Sequence, residues 1–254
     1  MNKNELFIYP IHLGTIKNFE SSLATLRRNF GIKTDMPCIG WVILGSEKKI
    51  IVDTGPSGAD WSHKYHWPLK KAASQELEAS LRTLGLSPKE IDLVILTHLH
   101  WDHCYNLELF SNSTFVVQKK ELEYAIAPLP ADSRVYEVDI PGVQPPWMKV
   151  FDRMVAVDQD QQIIGGIRVI FLPGHTPGSQ GVVVDTADGE WVIAGDTVPV
   201  YDNWRSKDFQ TPIPSGLFQN LYHFYDSLKR LESFGDKILP GHDGRVLTHA
   251  RYPF

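Results

Sequence analysis

The sequence is poor in cysteine, carries no excess of positive charge and has no long apolar segment. Its only cysteines, Cys38 and Cys104, are too few for a disulfide framework in 254 residues, which fits a reducing compartment. No segment approaches the roughly 20 apolar residues that cross a membrane, and residues 1–5 lack the apolar core of a signal peptide. We therefore expect a cytoplasmic protein without a membrane partner.

Charge and composition narrow the partners and the domain count. A formal net charge of −5 supplies no basic surface for a phosphate backbone, so we expect no nucleic-acid partner. With 43% hydrophobic and 22% charged residues, a chain of this length suits one domain with a substantial core. The prediction is a single domain over residues 1–254.

A histidine cluster after a short aliphatic run is the most informative feature of the sequence. It consists of His98, His100, Asp102 and His103. Because alternate side chains of an extended segment share a face, His98 and His100 can bind one ion. Asp102 and His103 come where the chain turns away, and they can reach a second position. Neutral imidazoles with a carboxylate are donors that Zn²⁺, Fe²⁺ and Mn²⁺ prefer, so Cys104 is predicted to be a buried filler.

Three more potential ligands follow predicted strands further along the chain. His175 lies in a Pro-Gly-His-Thr-Pro-Gly turn, Asp196 follows a hairpin, and His242 follows a short strand. Turn geometry holds such a side chain at a strand end, where it can enter a site. Asp53 also ends a strand, and its carboxylate either bonds a ligand imidazole or simply forms a turn.

The remaining pattern alternates strands with helices, which indicates the α/β class. Residues 38–53 predict a hairpin around a Gly-Ser-Glu-Lys turn. Leucines at helical spacing predict a helix over 77–84 that ends at Gly85. Residues 163–172 predict one strand, and an apolar stripe over 217–231 predicts an amphipathic helix.

Two long segments, residues 55–71 and 127–151, show no predicted strand or helix and are rich in aromatic residues or proline. Such loops in a compact domain are usually functional or form interfaces. Aromatic side chains from them and from the histidine cluster are predicted to form an apolar substrate wall: Trp61, Tyr65, Trp67, Trp101 and Trp147. A homodimer interface is the alternative for the first segment. Three histidines are left out of the predicted site: His12, His63 and His66.

The order His-x-His-x-Asp-His, lone His, Asp and last His resembles the metallo-β-lactamase superfamily. The resemblance runs from the Asp-Thr-Gly turn at residue 53 to residue 242. It implies a four-layer αββα sandwich with a site at one edge between two sheets. It also implies two divalent metal ions, zinc first, with iron, manganese or cobalt as alternatives.

The resemblance assigns the ligands to two sets joined by a bridging residue. One set is His98, His100 and His175, the other is Asp102, His103 and His242, and Asp196 bridges them. The chemistry implied is hydrolysis by a bridging hydroxide, with Asp102 as a catalytic proton shuttle.

Within the superfamily the chain is most similar to the quorum-quenching N-acyl homoserine lactonases. It shares their length, their Asp-Thr-Gly turn and both Pro-Gly-His turns. The implied substrate is a lactone or related ester with an apolar group. One departure is Pro199, which stands where that group often has a tyrosine that binds the lactone carbonyl. Tyr201 either substitutes for that tyrosine as a catalytic residue or is an ordinary loop residue.

Three alternatives remain open at this point. The first is a thioester hydrolase of the glyoxalase II type without its C-terminal helical domain, because only twelve residues follow His242. The second is a mononuclear iron dioxygenase on the same fold, which needs fewer ligands. The third is a binding protein that uses the fold to sense a ligand.

Overall fold

Two β-sheets lie face to face in the computed structural model, which describes residues 5–206 and 211–254. Within these residues the larger sheet has seven strands in the order 4-1-2-3-5-6-7: β1 Phe7–Glu20, β2 Lys33–Leu44, β3 Ile50–Val52, β4 Leu69–Lys70, β5 Leu93–Ile95, β6 Thr114–Gln118 and β7 Met154–Val157. The smaller sheet has five described strands in the order 12-11-10-9-8: β8 Gln161–Ile164, β9 Ile167–Phe171, β10 Gln180–Thr186, β11 Gly189–Gly195 and β12 Ile238–Pro240. The α-helices of the described residues are α1 Ser21–Ala24, α2 Ala59–Tyr65, α3 Leu77–Thr83, α4 Trp101–Cys104, α5 Lys119–Ile126, α6 Tyr201–Trp204 and α7 Leu221–Leu231.

Alternate residues of the central strands contact different cores, and this stacks the elements in layers. In β3, Ile50 and Val52 pack between the two sheets, while Ile51 packs in a core shared with α3 and α5. In β11, Ile193 faces the larger sheet, and Val192 packs in a core shared with α7. The layers therefore run helix, sheet, sheet, helix. This confirms the predicted four-layer αββα sandwich of the α/β class.

The carboxyl ends of the parallel strands meet at one edge of the sandwich, where a site can form. β3, β5 and β6 are parallel neighbours, with Val52 opposite Ile95 and Ile95 opposite Val116. In the smaller sheet β11 and β12 are parallel. Neighbouring parallel strands end at the same edge, so the segments that follow them meet there. Those segments carry most of the predicted ligands.

Two local predictions are confirmed in detail. The hairpin over residues 38–53 is present, since β2 pairs antiparallel with β3 around the predicted turn. The helix over 77–84 is α3, and Gly85 follows it with a φ of +72°, the left-handed conformation that ends many helices.

Three local predictions are wrong. Residues 163–172 form two strands, because Gly166 adopts a φ of +79° and turns the chain back as a hairpin. Residues 55–71 contain the helix α2. The stripe over 217–231 is helical only from Leu221, where the Asn220 side chain accepts a hydrogen bond from the N–H of His223. In the described parts of the chain, no helix combines the length and the apolar content that a membrane crossing requires.

Candidate metal centre

The predicted ligands converge at the edge where the parallel strands end. Potential ligand atoms of His98, His100 and His175 lie within 4.8 Å of one another. The same holds for His98, His103 and Asp196. His98 belongs to both groups, so the groups adjoin.

A third group of Asp102, His242 and Cys38 has its potential ligand atoms within the same 4.8 Å limit. Nε2 of His242 lies 3.1 Å from Nε2 of His103, which joins this group to the others. Cys38 was not predicted, and it reaches the cluster from β2. Burial raises the pKa of its thiol, so without metal the thiol is neutral at pH 7.

The outward ring nitrogens of three histidines are fixed by hydrogen bonds. Nδ1 of His103 lies 2.8 Å from Oδ2 of Asp53, as expected for a carboxylate supporting a ligand. Nδ1 of His175 lies 2.9 Å from the carbonyl oxygen of Leu217, and Nδ1 of His242 lies 2.9 Å from that of Pro37. Each Nδ1 therefore donates a proton outward, which leaves Nε2 free to face the cluster.

Asp196 spans the cluster. Its Oδ1 lies 3.1 Å from Nε2 of His242 and 3.4 Å from Nε2 of His103. Its Oδ2 lies 3.4 Å from Nε2 of His175. One carboxylate thus offers one oxygen to each ligand set, as the proposed bridging role requires.

The two ligand sets differ in their electrostatics. Burial, with the neighbouring histidines, holds the pKa values of His98 and His100 well below the ordinary value, so both imidazoles are neutral. Burial also opposes a charge on His103, but the nearby carboxylates, Asp196 foremost, outweigh it and raise its pKa to about 9. Burial would raise the pKa of Asp196, yet His242 and His103 hold it well below its usual range.

The cluster fits metal ions better than it fits a hydrogen-bonded polar core. Nε2 of His98 is buried without a hydrogen-bond partner among the described residues. Nε2 of His103 and Nε2 of His242 lie 3.1 Å apart while the other nitrogen of each ring already has an acceptor, so without a metal ion at least one of these rings must hold a second proton. A buried unpaired acceptor and ring nitrogens that converge in this way are unfavourable unless a cation is shared. Imidazole and carboxylate donors in this number suit two divalent ions.

The cluster forms the floor of a cavity of about 420 Å³. His100, Asp102, His175, Asp196 and His242 line its polar end. The other walls are mostly apolar, and they include Ile16, Phe19, Leu23, Met36, Trp67, Trp101, Val135 and Leu217. The volume and the apolar lining are typical of a small-molecule site.

The family follows from a comparison with known proteins. A family model described as "Metallo-beta-lactamase superfamily" matches residues 35–249, most of the chain. The chain belongs to this superfamily. As a superfamily member it is 27% identical over 216 residues to the N-acyl homoserine lactonase AttM of Azorhizobium caulinodans. That match covers 80% of this chain and 78% of AttM.

Two solved structures have the same fold as this chain. An N-acyl homoserine lactone hydrolase, solved with N-hexanoyl-L-homoserine at its catalytic metal center, has a TM-score of 0.77 at 21% identity and covers 99% of both chains. AidC, described as a dizinc quorum-quenching lactonase, has a TM-score of 0.69 at 17% identity. The aligned region covers 96% of this chain and 89% of AidC.

The predicted aromatic wall is only partly correct for this superfamily member. Trp67 and Trp101 line the cavity. Trp147 does not, because it is 2% exposed and packs in the core shared by the larger sheet, α3 and α5. Trp61 and Tyr65 pack on each other with ring centroids 4.5 Å apart, and Nε1 of Trp61 donates to Glu137 at 2.7 Å.

Tyr201 is not among the residues that line this cavity, which favours the alternative that it is not catalytic. It is the first residue of α6, and its ring packs on the core between the sheets, beneath the guanidinium of Arg245. Asp243 accepts a hydrogen bond from the backbone N–H of Tyr201 and fixes this start of the helix. Pro199, two residues earlier, lines the cavity instead.

Residues that the sequence did not reveal complete the site. Phe19 reaches the cavity from the carboxyl end of β1, and Met36 reaches it from the start of β2, before the predicted hairpin over residues 38–53. Leu217 lines the cavity, and its carbonyl oxygen orients His175. His66, left out of the site, stacks on Trp101 with centroids 4.3 Å apart and an angle of 2°. It also pairs with the buried Glu137 at 2.9 Å, which holds the Trp101 wall in place.

Asp53→Asn is expected to weaken metal binding about 10- to 100-fold at the set that contains His103. The amide keeps the shape but removes the negative charge 2.8 Å from Nδ1 of His103 and leaves that imidazole less basic. Competition with a chromophoric chelator measures the affinity. Asp92→Asn, which changes an aspartate that accepts from the backbone of Lys49 far from the cluster, is the control. Unchanged affinity in Asp53→Asn would contradict the prediction.

Proposed function

We propose that this chain hydrolyses N-acyl homoserine lactones or closely related lactones with two divalent metal ions, of which zinc fits best. One observation carries the proposal: the ligand cluster forms the floor of a largely apolar cavity. A floor of metal ligands suits an ester carbonyl, and apolar walls suit an acyl chain. The lactonases among the relatives support the same substrate class.

Each of the two ligand sets would hold one metal ion. Divalent ions bound here would lower the pKa of water and polarise an ester carbonyl. His98, His100 and His175 would hold one ion. Asp102, His103 and His242, whose facing atoms lie 3.1 to 3.8 Å apart, would hold the other. Asp196 would be shared, because each of its oxygens faces a different set.

Asp102 has a second role in the proposal. Its carboxylate lines the cavity, and its Oδ2 lies 3.7 Å from Nε2 of His242. A carboxylate at this position can take a proton from the attacking water and return it to the leaving alkoxide. Phe19, Met36 and Trp67 would hold the acyl chain and exclude water from it.

The test is hydrolysis of a series of N-acyl homoserine lactones that differ only in acyl length. Metal-free protein is loaded with Zn²⁺, Mn²⁺ or Co²⁺, and ring opening is followed by proton release. We expect activity only after loading. We also expect kcat/KM to rise by up to about fourfold per added methylene until the cavity is filled, because each buried methylene contributes about 0.8 kcal/mol.

Two outcomes would contradict the proposal. One is loaded protein that opens none of the lactones. The other is a kcat/KM that does not change with acyl length, which would mean that the apolar walls do not bind the acyl chain. Acyl thioesters of the same chain lengths serve as the comparison for the thioester alternative. The mononuclear oxygenase alternative is less well supported, because the second ligand set goes beyond what one ion needs.

A further inference from the structure

A buried carboxylate lies behind one half of the ligand cluster. Glu121, in α5, is 0% exposed. Its Oε1 accepts hydrogen bonds from the backbone N–H of Leu99 at 3.0 Å and from the hydroxyl of Tyr136 at 2.7 Å. Its Oε2 accepts from the hydroxyl of Thr176 at 2.6 Å and from the backbone N–H of Gly178 at 3.2 Å. Both oxygens therefore have two donors each.

Three of these four donors belong to segments that carry one ligand set, and the fourth, Tyr136, packs against it. Leu99 lies between His98 and His100 in sequence, and Thr176 directly follows His175. The ring of Tyr136 packs edge-on against His100, with centroids 4.9 Å apart and an angle of 77°. A single carboxylate thus joins the two segments that bring the three histidines together.

The other ligand set is held from different elements. Asp53, after β3, bonds Nδ1 of His103, and the carbonyl oxygen of Pro37, in β2, bonds Nδ1 of His242. Asp53 also accepts hydrogen bonds from the backbone N–H of Thr97 at 2.8 Å and from its hydroxyl at 2.7 Å, and that hydroxyl lies 3.0 Å from Nδ1 of His98. A change at Asp53 therefore reaches His103 directly and His98 through Thr97, whereas a change at Glu121 reaches the His98, His100 and His175 set alone.

The contact of Glu121 with the His175 turn is close. A Cβ on Gly178 would lie 2.1 Å from the backbone nitrogen of Glu121, so only glycine allows the turn to approach α5 this closely. Burial raises the pKa of Glu121, and the hydrogen bonds from Thr176, Leu99 and Tyr136 act in the opposite direction by stabilising the carboxylate. An acid is kept at a buried position where an apolar residue would avoid this desolvation cost.

We propose that Glu121 is a positioning residue for the His98, His100 and His175 ligand set, and that it sets the affinity of one of the two metal ions selectively. The inference rests on the dinuclear part of the proposed function and is independent of the substrate. Glu121 acts through the backbone between two ligands and through the turn after the third. It touches neither the ions nor the substrate.

Glu121→Gln is the variant that isolates this role. Glutamine has the same shape, but one of its two oxygens becomes an NH₂ group, which donates. The hydroxyls of Tyr136 and Thr176 can rotate to accept from it. The backbone N–H of Leu99 or of Gly178 cannot, so one of the two ligand segments loses its acceptor.

The experiment compares stepwise Zn²⁺ affinities of wild type, Glu121→Gln, Asp53→Asn and the double variant by chelator competition. We expect Glu121→Gln to weaken one binding step about 10- to 100-fold and to leave the other within about threefold. Asp53→Asn and the double variant are expected to weaken both steps, because Asp53 contacts His103 directly and reaches His98 through Thr97. Glu121→Gln alone is therefore expected to be selective for one step.

Tyr136→Phe gives a second measurement if Glu121→Gln does not fold. It removes one of the four hydrogen bonds and keeps the ring against His100, so we expect a loss of about three- to tenfold in the same step. Equal weakening of both binding steps by Glu121→Gln or Tyr136→Phe would overturn the proposal. So would a lower Tm of either metal-free variant with both Zn²⁺ affinities unchanged. Wild type that binds fewer than two ions would instead refute the dinuclear part of the proposed function.

Discussion

Asp196→Asn is expected to lower kcat/KM for lactone hydrolysis by on the order of a thousandfold or more, since charge stabilisation by the metal ions contributes several kcal/mol. The amide keeps the size of the side chain but removes the negative charge shared by both ligand sets. It also turns an NH₂ group toward Nε2 of His242, now 3.1 Å from Oδ1, or toward Nε2 of His175, now 3.4 Å from Oδ2.

Steady-state kinetics and metal analysis of the purified variant check this result. We expect fewer than two ions per chain under conditions that load the wild type fully. Asp236→Asn is the control, because its side chain is 86% exposed and pairs with Arg205 at the surface. Near wild-type activity in Asp196→Asn would show that the carboxylate does not join the two sets.

Trp147→Ala is expected to lower the free energy of unfolding by about 3–5 kcal/mol, the usual range for removing a large aromatic side chain from a core. The ring is 2% exposed and packs with the core of the larger sheet, α3 and α5. The acyl-length preference of the variant should match the wild type, because Trp147 does not line the cavity.

Urea unfolding and the acyl-length series measure the two effects separately. Trp147→Phe is the matched control. It keeps an aromatic ring and loses no hydrogen bond, because Nε1 of Trp147 has no partner among the described residues. Trp67→Ala, at the cavity wall, should show the opposite pattern, with a flattened acyl-length response. Normal stability of Trp147→Ala together with a flattened response would restore the original prediction for Trp147.

The cluster of His98, His100, Asp102 and His103 could be predicted from the sequence because local geometry sets its arrangement, whereas the convergence of His175, Asp196 and His242 on it was implied by the resemblance to the superfamily. His98 and His100 follow a buried strand, and the spacing alone places them on one face. Two interpretations of Asp53 were open, a bond to a ligand imidazole or a simple turn, and its contact with Nδ1 of His103 favours the first. These residues lie at strand ends, where the direction of the chain is fixed by short-range pairing.

The cavity walls could not be predicted, because they depend on how distant elements pack. Trp147 and Trp67 both lie in aromatic segments, yet only the three-dimensional packing places one in the core and the other at the cavity. Tyr201 begins α6 where a loop was expected, and its ring packs against the core between the sheets. Cys38 adjoins Asp102 because α4 packs against β2, a contact that no spacing in the sequence records.

The placement of the ligands at the ends of strands from both sheets has a consequence for folding. His103 and His242 meet at 3.1 Å although 139 residues separate them along the chain. Closing so long a loop is slow, and the pair forms only once the two sheets have docked. A newly made chain therefore has a complete ion-binding site only at the end of folding. Ions that bind the folded state and not the late intermediates shift the equilibrium toward the folded state.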